Sequence, residues 1–198
     1  MIGLDFSAPA LEVARRLAAD AGPPVSYVQS NVYEAVDALG EGGFDLVFTG
    51  VGALCWLPDI DGWAATVAAL LRPGGRLFLR EGHPMLWTLD DPRADGLVTI
   101  EYPYFELAGG TEFHETSTYV EHDDDLASPA TVQWNHGLGE TITAVMAHGM
   151  RLTAIEEHDS VPWPALGDQM ELLPNGEFRL RDRPWRLAHS YTLQAVRA

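Results

Sequence analysis

Apolar and polar positions alternate between strand-like and helix-like spacing through the first eighty residues of the chain. Residues 2–5, ending at Asp5, read as the end of a buried strand. Ser7 then stands as a helix N-cap with Pro9 in the first turn. Leu11, Ala14, Leu17 and Ala18 recur at helical spacing until Gly22 closes the helix. Residues 25–29 predict a short strand and residues 33–39 a short helix. The near-continuous apolar run at 44–49 is expected of a strand covered on both faces. Asp59 or Asp61 caps a helix carrying Trp63, Val67, Leu70 and Leu71 on one side. Pro73-Gly74-Gly75 is expected to stop it, and 76–80 to form the next strand. This alternation predicts an α/β fold, a mostly parallel sheet with helices on its faces.

The pattern changes further on. Residues 98–106 and 112–121 predict two exposed strands joined around Gly109-Gly110, with Pro103 marking the first as an edge. Together they read as a β-rich insertion over 97–122 in a single domain spanning 1–198, lying on the active-site side. Leu138, Ile142, Val145 and Met146 mark an amphipathic helix ending at Gly149. Residues 151–157 and 190–196 predict final strands, and the proline-rich, charged stretch between them a long loop.

Composition narrows the partners. The formal net charge is −17 and all twelve basic residues are arginine. So negative a surface repels phosphate backbones and anionic membranes, which excludes nucleic acid and membrane as expected partners. Arg179, Arg181, Arg183 and Arg186 cluster, and read as a solvated segment. The single cysteine, Cys55, excludes an internal disulfide, and no secretory leader is visible, so a reducing cytoplasm is expected. Asp123-Asp124-Asp125 near His114 and His122 match no metal-ligand spacing, and no metal is expected. Nothing places a base beside Cys55, so it is not expected to be a nucleophile.

In open parallel sheets, ligands bind beyond the carboxyl ends of the strands. Those ends deliver Asp5 with Phe6 and Ser7, then Asn31, then Thr49, Gly50 and Val51, then Glu81 with His83. A carboxylate in Asp5's place can accept from both hydroxyls of a ribose, or only cap the following turn. Phe6 suits an adenine face or ordinary packing, and Asn31 an adenine edge or a turn. Glu81, His83 and His136 are the candidate bases. Trp56, Trp87, Tyr102, Tyr104 and Trp134 are candidates for the wall of a substrate pocket.

The order Gly3-Leu4-Asp5-Phe6-Ser7, Asn31-Val32, Phe44-Asp45-Leu46-Val47 and Leu71-Arg72-Pro73-Gly74-Gly75-Arg76-Leu77 resembles the class I S-adenosylmethionine-dependent methyltransferases. The resemblance implies a Rossmann-like, doubly wound sheet with an antiparallel C-terminal strand. It implies S-adenosylmethionine as cofactor, with Asp5 at its ribose, Asn31 and Val32 at adenine, and Thr49, Gly50 and Val51 beside the sulfonium. Residues 52–59 resemble a subgroup acting on small molecules, so the expected acceptor is a small molecule. The family's first strand and GxGxG turn have no counterpart ahead of Gly3. On that reading Met1 is an internal start or the chain is a remnant, and activity is impaired. Two other readings stay open: a nicotinamide-dependent oxidoreductase, whose second strand also ends in an acid, and an inactive methyltransferase-like binding protein.

Overall fold

The computed structural model describes residues 1–22, 24–114 and 129–198. Strand β1 (Ile2–Asp5) runs into helix α1 (Ala8–Ala21) and strand β2 (Ser26–Gln29), and the two strands pair in parallel with Asp5 opposite Gln29. The Ser7 hydroxyl accepts from the Ala10 N–H at 3.3 Å, satisfying one of the helix's orphan donors. At the other end Gly22, at φ 86°, turns its N–H back to the Ala18 carbonyl. Leu11 is the one buried residue of α1.

A 3-10 turn at Val32–Glu34 leads into α2 (Ala35–Leu39), then β3 (Phe44–Thr49), a second turn at Leu54–Trp56, α3 (Ile60–Leu70) and β4 (Leu71–Gly82). Asp59 is the cap of α3, its side chain accepting from the Gly62 N–H at 2.9 Å. After the described part of the insertion come β5 (Thr111–His114), β6 (Ala130–Gln133), α4 (Leu138–Ala147), β7 (Met150–His158), β8 (Met170–Leu172), β9 (Phe178–Leu180) and β10 (Ser190–Arg197).

The main sheet has the order β3-β4-β10-β7: β3 and β4 are parallel, and β10 is antiparallel to both its neighbours. Leu77 and Leu79 of β4 share a face with Tyr191, Leu193 and Ala195 of β10, and Trp63, Ala64 and Val67 of α3 with Val145 of α4 pack over them. All of these are at most 2% exposed. The fold is therefore the expected Rossmann-like α/β arrangement with an antiparallel C-terminal strand. Among the described residues β1–β2 forms a separate ladder from the main sheet. The two ladders are joined through the turn at 32–34, where the Tyr33 hydroxyl bonds both the carbonyl and the N–H of Asp59.

Four local expectations change. Strand β3 is covered on one face only: Val47 meets the core, while Leu46 and Phe48 are 50% and 63% exposed. Both α3 and α4 pack on the Val47 side, and the Phe48 ring stacks on Phe78, with centroids 6.0 Å apart. Helix α3 ends at Leu70, before Pro73. The chain is already extended at Leu71, so Pro73-Gly74-Gly75 forms an irregularity inside β4, where pairing with β3 shifts between Phe44 and Leu46. Gly75 is needed there, because a Cβ would lie 2.8 Å from the Arg72 carbonyl oxygen and 2.9 Å from that of Phe44.

Residues 98–106 form no strand. Leu89 and Ile100 make an isolated bridge, and the N–H groups of Glu101 and Tyr102 both turn to the Thr88 carbonyl. Consequently β5 pairs with β6 instead. The rest of the second expected strand, with His122 and the Asp123–Asp125 run, lies outside the described residues. The expected loop before β10 holds the β8–β9 hairpin, with its own small core of Leu86, Val161, Leu166, Met170 and Leu180.

Candidate active site

The parallel pairings bring the carboxyl ends of β1 and β2 together, and those of β3 and β4 together. At the first pair, the Asp5 carboxylate accepts from the Ser7 N–H at 2.7 Å through Oδ1. The Ser30 N–H bonds the Asp5 carbonyl at 3.1 Å, and the Gln29 amide donates to the Phe6 carbonyl at 3.1 Å. The backbone around Asp5 is thus fixed from both sides, while its Oδ2 enters no hydrogen bond among the described residues. The Phe6 ring is 75% exposed. Asn31 accepts from the Tyr33 N–H at 3.0 Å through Oδ1, which starts the 3-10 turn. Val32 packs against the main core. Thr49 ends β3, and Gly50 and Val51 follow it, half-buried.

The second pair of ends is dominated by Glu81. It is 3% exposed, and its carboxylate accepts from the N–H groups of Gly52, Ala53 (3.1 Å), Leu54 (3.2 Å) and Gly82 (3.2 Å). Burial pushes its pKa up, and these four donors pull against that shift. Glu81 therefore clasps the segment after β3, with both oxygens engaged. Nearby, Cys55 is pushed up to about 12, first by burial and then by the Glu81 charge, so it holds its proton at neutral pH.

His83 is 4% exposed, with Nε2 2.9 Å from a Glu157 oxygen and Nδ1 accepting from the Met85 N–H at 3.1 Å. The second bond requires a lone pair on Nδ1, so the proton sits on Nε2 and is donated to Glu157. Burial holds the His83 pKa below its ordinary value, with Glu157 opposing. His136 is 5% exposed. Its Nε2 lies 2.7 Å from the Leu57 carbonyl oxygen, and its Nδ1 lies 2.7 Å from Glu106 and 3.7 Å from Glu140.

Glu81 and His136 line one small cleft, together with Leu54, Trp87, Trp134 and Tyr191. His83 lies behind its wall, edge-on to Tyr191 with ring centroids 6.2 Å apart. Two links draw the segment after β6 onto the cleft. The Trp134 N–H bonds the Cys55 carbonyl at 2.9 Å, and the Asn135 amide donates to the carbonyls of Pro84 and Pro103 at 3.0 and 2.9 Å. The Trp134 indole nitrogen is buried without a partner among the described residues. Of the other aromatic candidates, Trp56 is 49% exposed, and Tyr104 packs on Phe105 outside the cleft.

Sequence reasoning missed Glu106, Glu140, Asn135 and Glu157. Only Glu140 carried a local sign, its i,i+4 spacing from His136 at the start of a helix.

A family model described as a methyltransferase domain matches residues 1–75. No curated protein matches the chain. Solved structures match it end to end. A Listeria monocytogenes protein, assigned as an S-adenosylmethionine-dependent methyltransferase, is 20% identical, with 100% of this chain and 79% of the other covered at a TM-score of 0.65. An S-adenosylmethionine-dependent methyltransferase of Mesorhizobium loti is 22% identical, with 99% and 80% covered at 0.63. A geranyl diphosphate methyltransferase in complex with S-adenosylmethionine is 15% identical, with 100% and 68% covered at 0.55.

Proposed function

We propose, from the methyltransferase-domain family that residues 1–75 match and the methyltransferase fold that the whole chain carries, that this protein transfers a methyl group from S-adenosylmethionine to a small-molecule acceptor. The observation that carries the proposal is the juxtaposition at the carboxyl ends of β1 and β2. Asp5 keeps one carboxylate oxygen outside its own turn, and Asn31 follows β2 just beyond it. Asp5 takes a ribose hydroxyl, and the Asn31 amide takes the adenine edge. Thr49, which ends β3, and the Gly50 and Val51 that follow lie beside the sulfonium end.

The bound cofactor supplies an electrophilic methyl carbon for in-line displacement. The chain's part is to hold the acceptor in line and keep water out. Leu54, Trp87, Trp134 and Tyr191 wall the cleft, whose free volume of about 10 Å³ is water-sized, so a small organic acceptor enters only where these side chains move apart. The free Trp134 indole N–H offers one donor to an acceptor oxygen. Glu81 works by placement, since its oxygens fix the segment that carries Thr49 to Leu54. His83 supports the Tyr191 wall from behind.

Equilibrium titration with S-adenosylhomocysteine and with a nicotinamide dinucleotide separates this proposal from the oxidoreductase reading. Saturable binding of the first, weakened about tenfold or more by Asp5→Ala, is expected. Binding of the dinucleotide alone would overturn the proposal.

A further inference from the structure

Three side chains from separate segments converge at the edge of the cleft. Glu106 comes from the loop before β5, His136 from the connection between β6 and α4, and Glu140 from the first turn of α4. One ligand-type atom from each lies within 4.8 Å of the other two. The His136 side chain is 2% exposed, that of Glu106 22% and that of Glu140 39%.

The tautomer of His136 makes the cluster informative. Its Nε2 lies 2.7 Å from the Leu57 carbonyl oxygen, which only accepts, so Nε2 carries a proton. A neutral ring then points the Nδ1 lone pair at the Glu106 oxygen 2.7 Å away. Nδ1 is buried and makes no hydrogen bond among the described residues, despite that short separation. Lone pair facing lone pair, with a second carboxylate oxygen at 3.7 Å, is an arrangement that needs a positive charge between the atoms.

We propose that Glu106, His136 and Glu140 bind one divalent transition-metal ion, through His136 Nδ1 and a carboxylate oxygen from each glutamate. Metal–ligand bonds of about 2.0–2.2 Å put neighbouring ligand atoms about 3–3.5 Å apart, and the separations of 2.7 and 3.7 Å straddle that value. Two carboxylates with one neutral imidazole carry two negative charges, which a divalent ion neutralises. The mixed oxygen and nitrogen set suits Zn²⁺, Mn²⁺ or Fe²⁺ over Mg²⁺ or Ca²⁺. The Nε2–H bond to Leu57 orients the ring, as outer hydrogen bonds do for metal-bound histidines. Three protein ligands leave at least one position open, and the exposed side of Glu140 gives the ion a path in. The ion would tie the loop before β5 to α4 across the cleft edge. This inference rests on the cluster alone and is independent of the cofactor assignment.

The test is calorimetric titration of the chelator-treated protein with ZnCl₂ and, separately, MnCl₂. One site per chain is expected for at least one of them. Glu140→Gln should weaken it about tenfold or more with an unchanged circular dichroism spectrum, since that side chain is partly exposed. Glu106→Gln should do the same. The ¹⁵N shift of His136 Nδ1 should move on loading, with Nε2 remaining protonated. Neither metal binding at one site per chain, an affinity untouched by Glu140→Gln, or a proton found on Nδ1 at saturation with the metal that binds would each overturn the proposal.

Discussion

Glu81 places a carboxylate almost out of reach of water and surrounds it with four backbone N–H groups. Glu81→Gln swaps one acceptor oxygen for an NH₂ that faces those donors, so it should cost about 1–3 kcal/mol in urea denaturation. The pH dependence has a definite sign. The folded pKa of Glu81 lies above its ordinary value of 4.5, so its contribution is fully present below that pH and is lost as pH rises through the folded value. The glutamine variant should remove that slope, and an unchanged slope would assign it to other groups. His83 runs the other way. Its folded pKa lies below 6.5, so its contribution is present above 6.5 and is lost as pH falls through the folded value. Thermal melts below pH 6.5 should show that loss, and His83→Asn should reduce it.

At this scale the sequence showed positions without partners. The strand ends at Asp5, Asn31, Thr49 and Glu81 were legible because apolar runs stop there. Whether Asp5 caps Ser7 or meets a ribose depends on where two lone pairs point, which no spacing encodes. Glu81 and His83 both looked like bases, and only the structure reveals that the four backbone donors and the Met85 N–H already engage them.

The elements differ in how firmly they are held. Helix α3 buries seven of its eleven residues, whereas α1 buries one of fourteen. Hydrogen exchange should therefore find α1, β1 and β2 opening well before α3, β4 and β10. Equal protection across both groups would contradict the separation of the two ladders. Asp59→Ala removes the cap of α3 and its bond to Gly62, and should cost about 1 kcal/mol by thermal or urea unfolding. The caps at Ser7 and Asp59 were readable from residue type and the helical spacing behind them. The misreading at Pro73 has a physical cause: the pattern marks where a helix must have ended, and α3 had already turned extended at Leu71. The pairing of β5 with β6 was not readable, because it joins segments separated by the 115–128 stretch.

Over the whole molecule, α3 and α4 seal one face of the main sheet, and the strand ends along its rim carry the polar groups. No helix among the described residues is long and apolar enough to cross a membrane. The fold was legible because strand and helix periods alternate at regular spacing; the cleft was not, because Leu54, Glu81, Trp134 and Tyr191 meet there from four distant segments. On the proposed function, Asp5 and Asn31 grip the adenosine portion of the cofactor. Saturation-transfer NMR with S-adenosylhomocysteine tests this most directly. Strong transfer to the adenine and ribose protons, and its loss in Asp5→Ala, are predicted. No transfer to the adenine and ribose protons, or a signal indifferent to Asp5→Ala, would contradict the account.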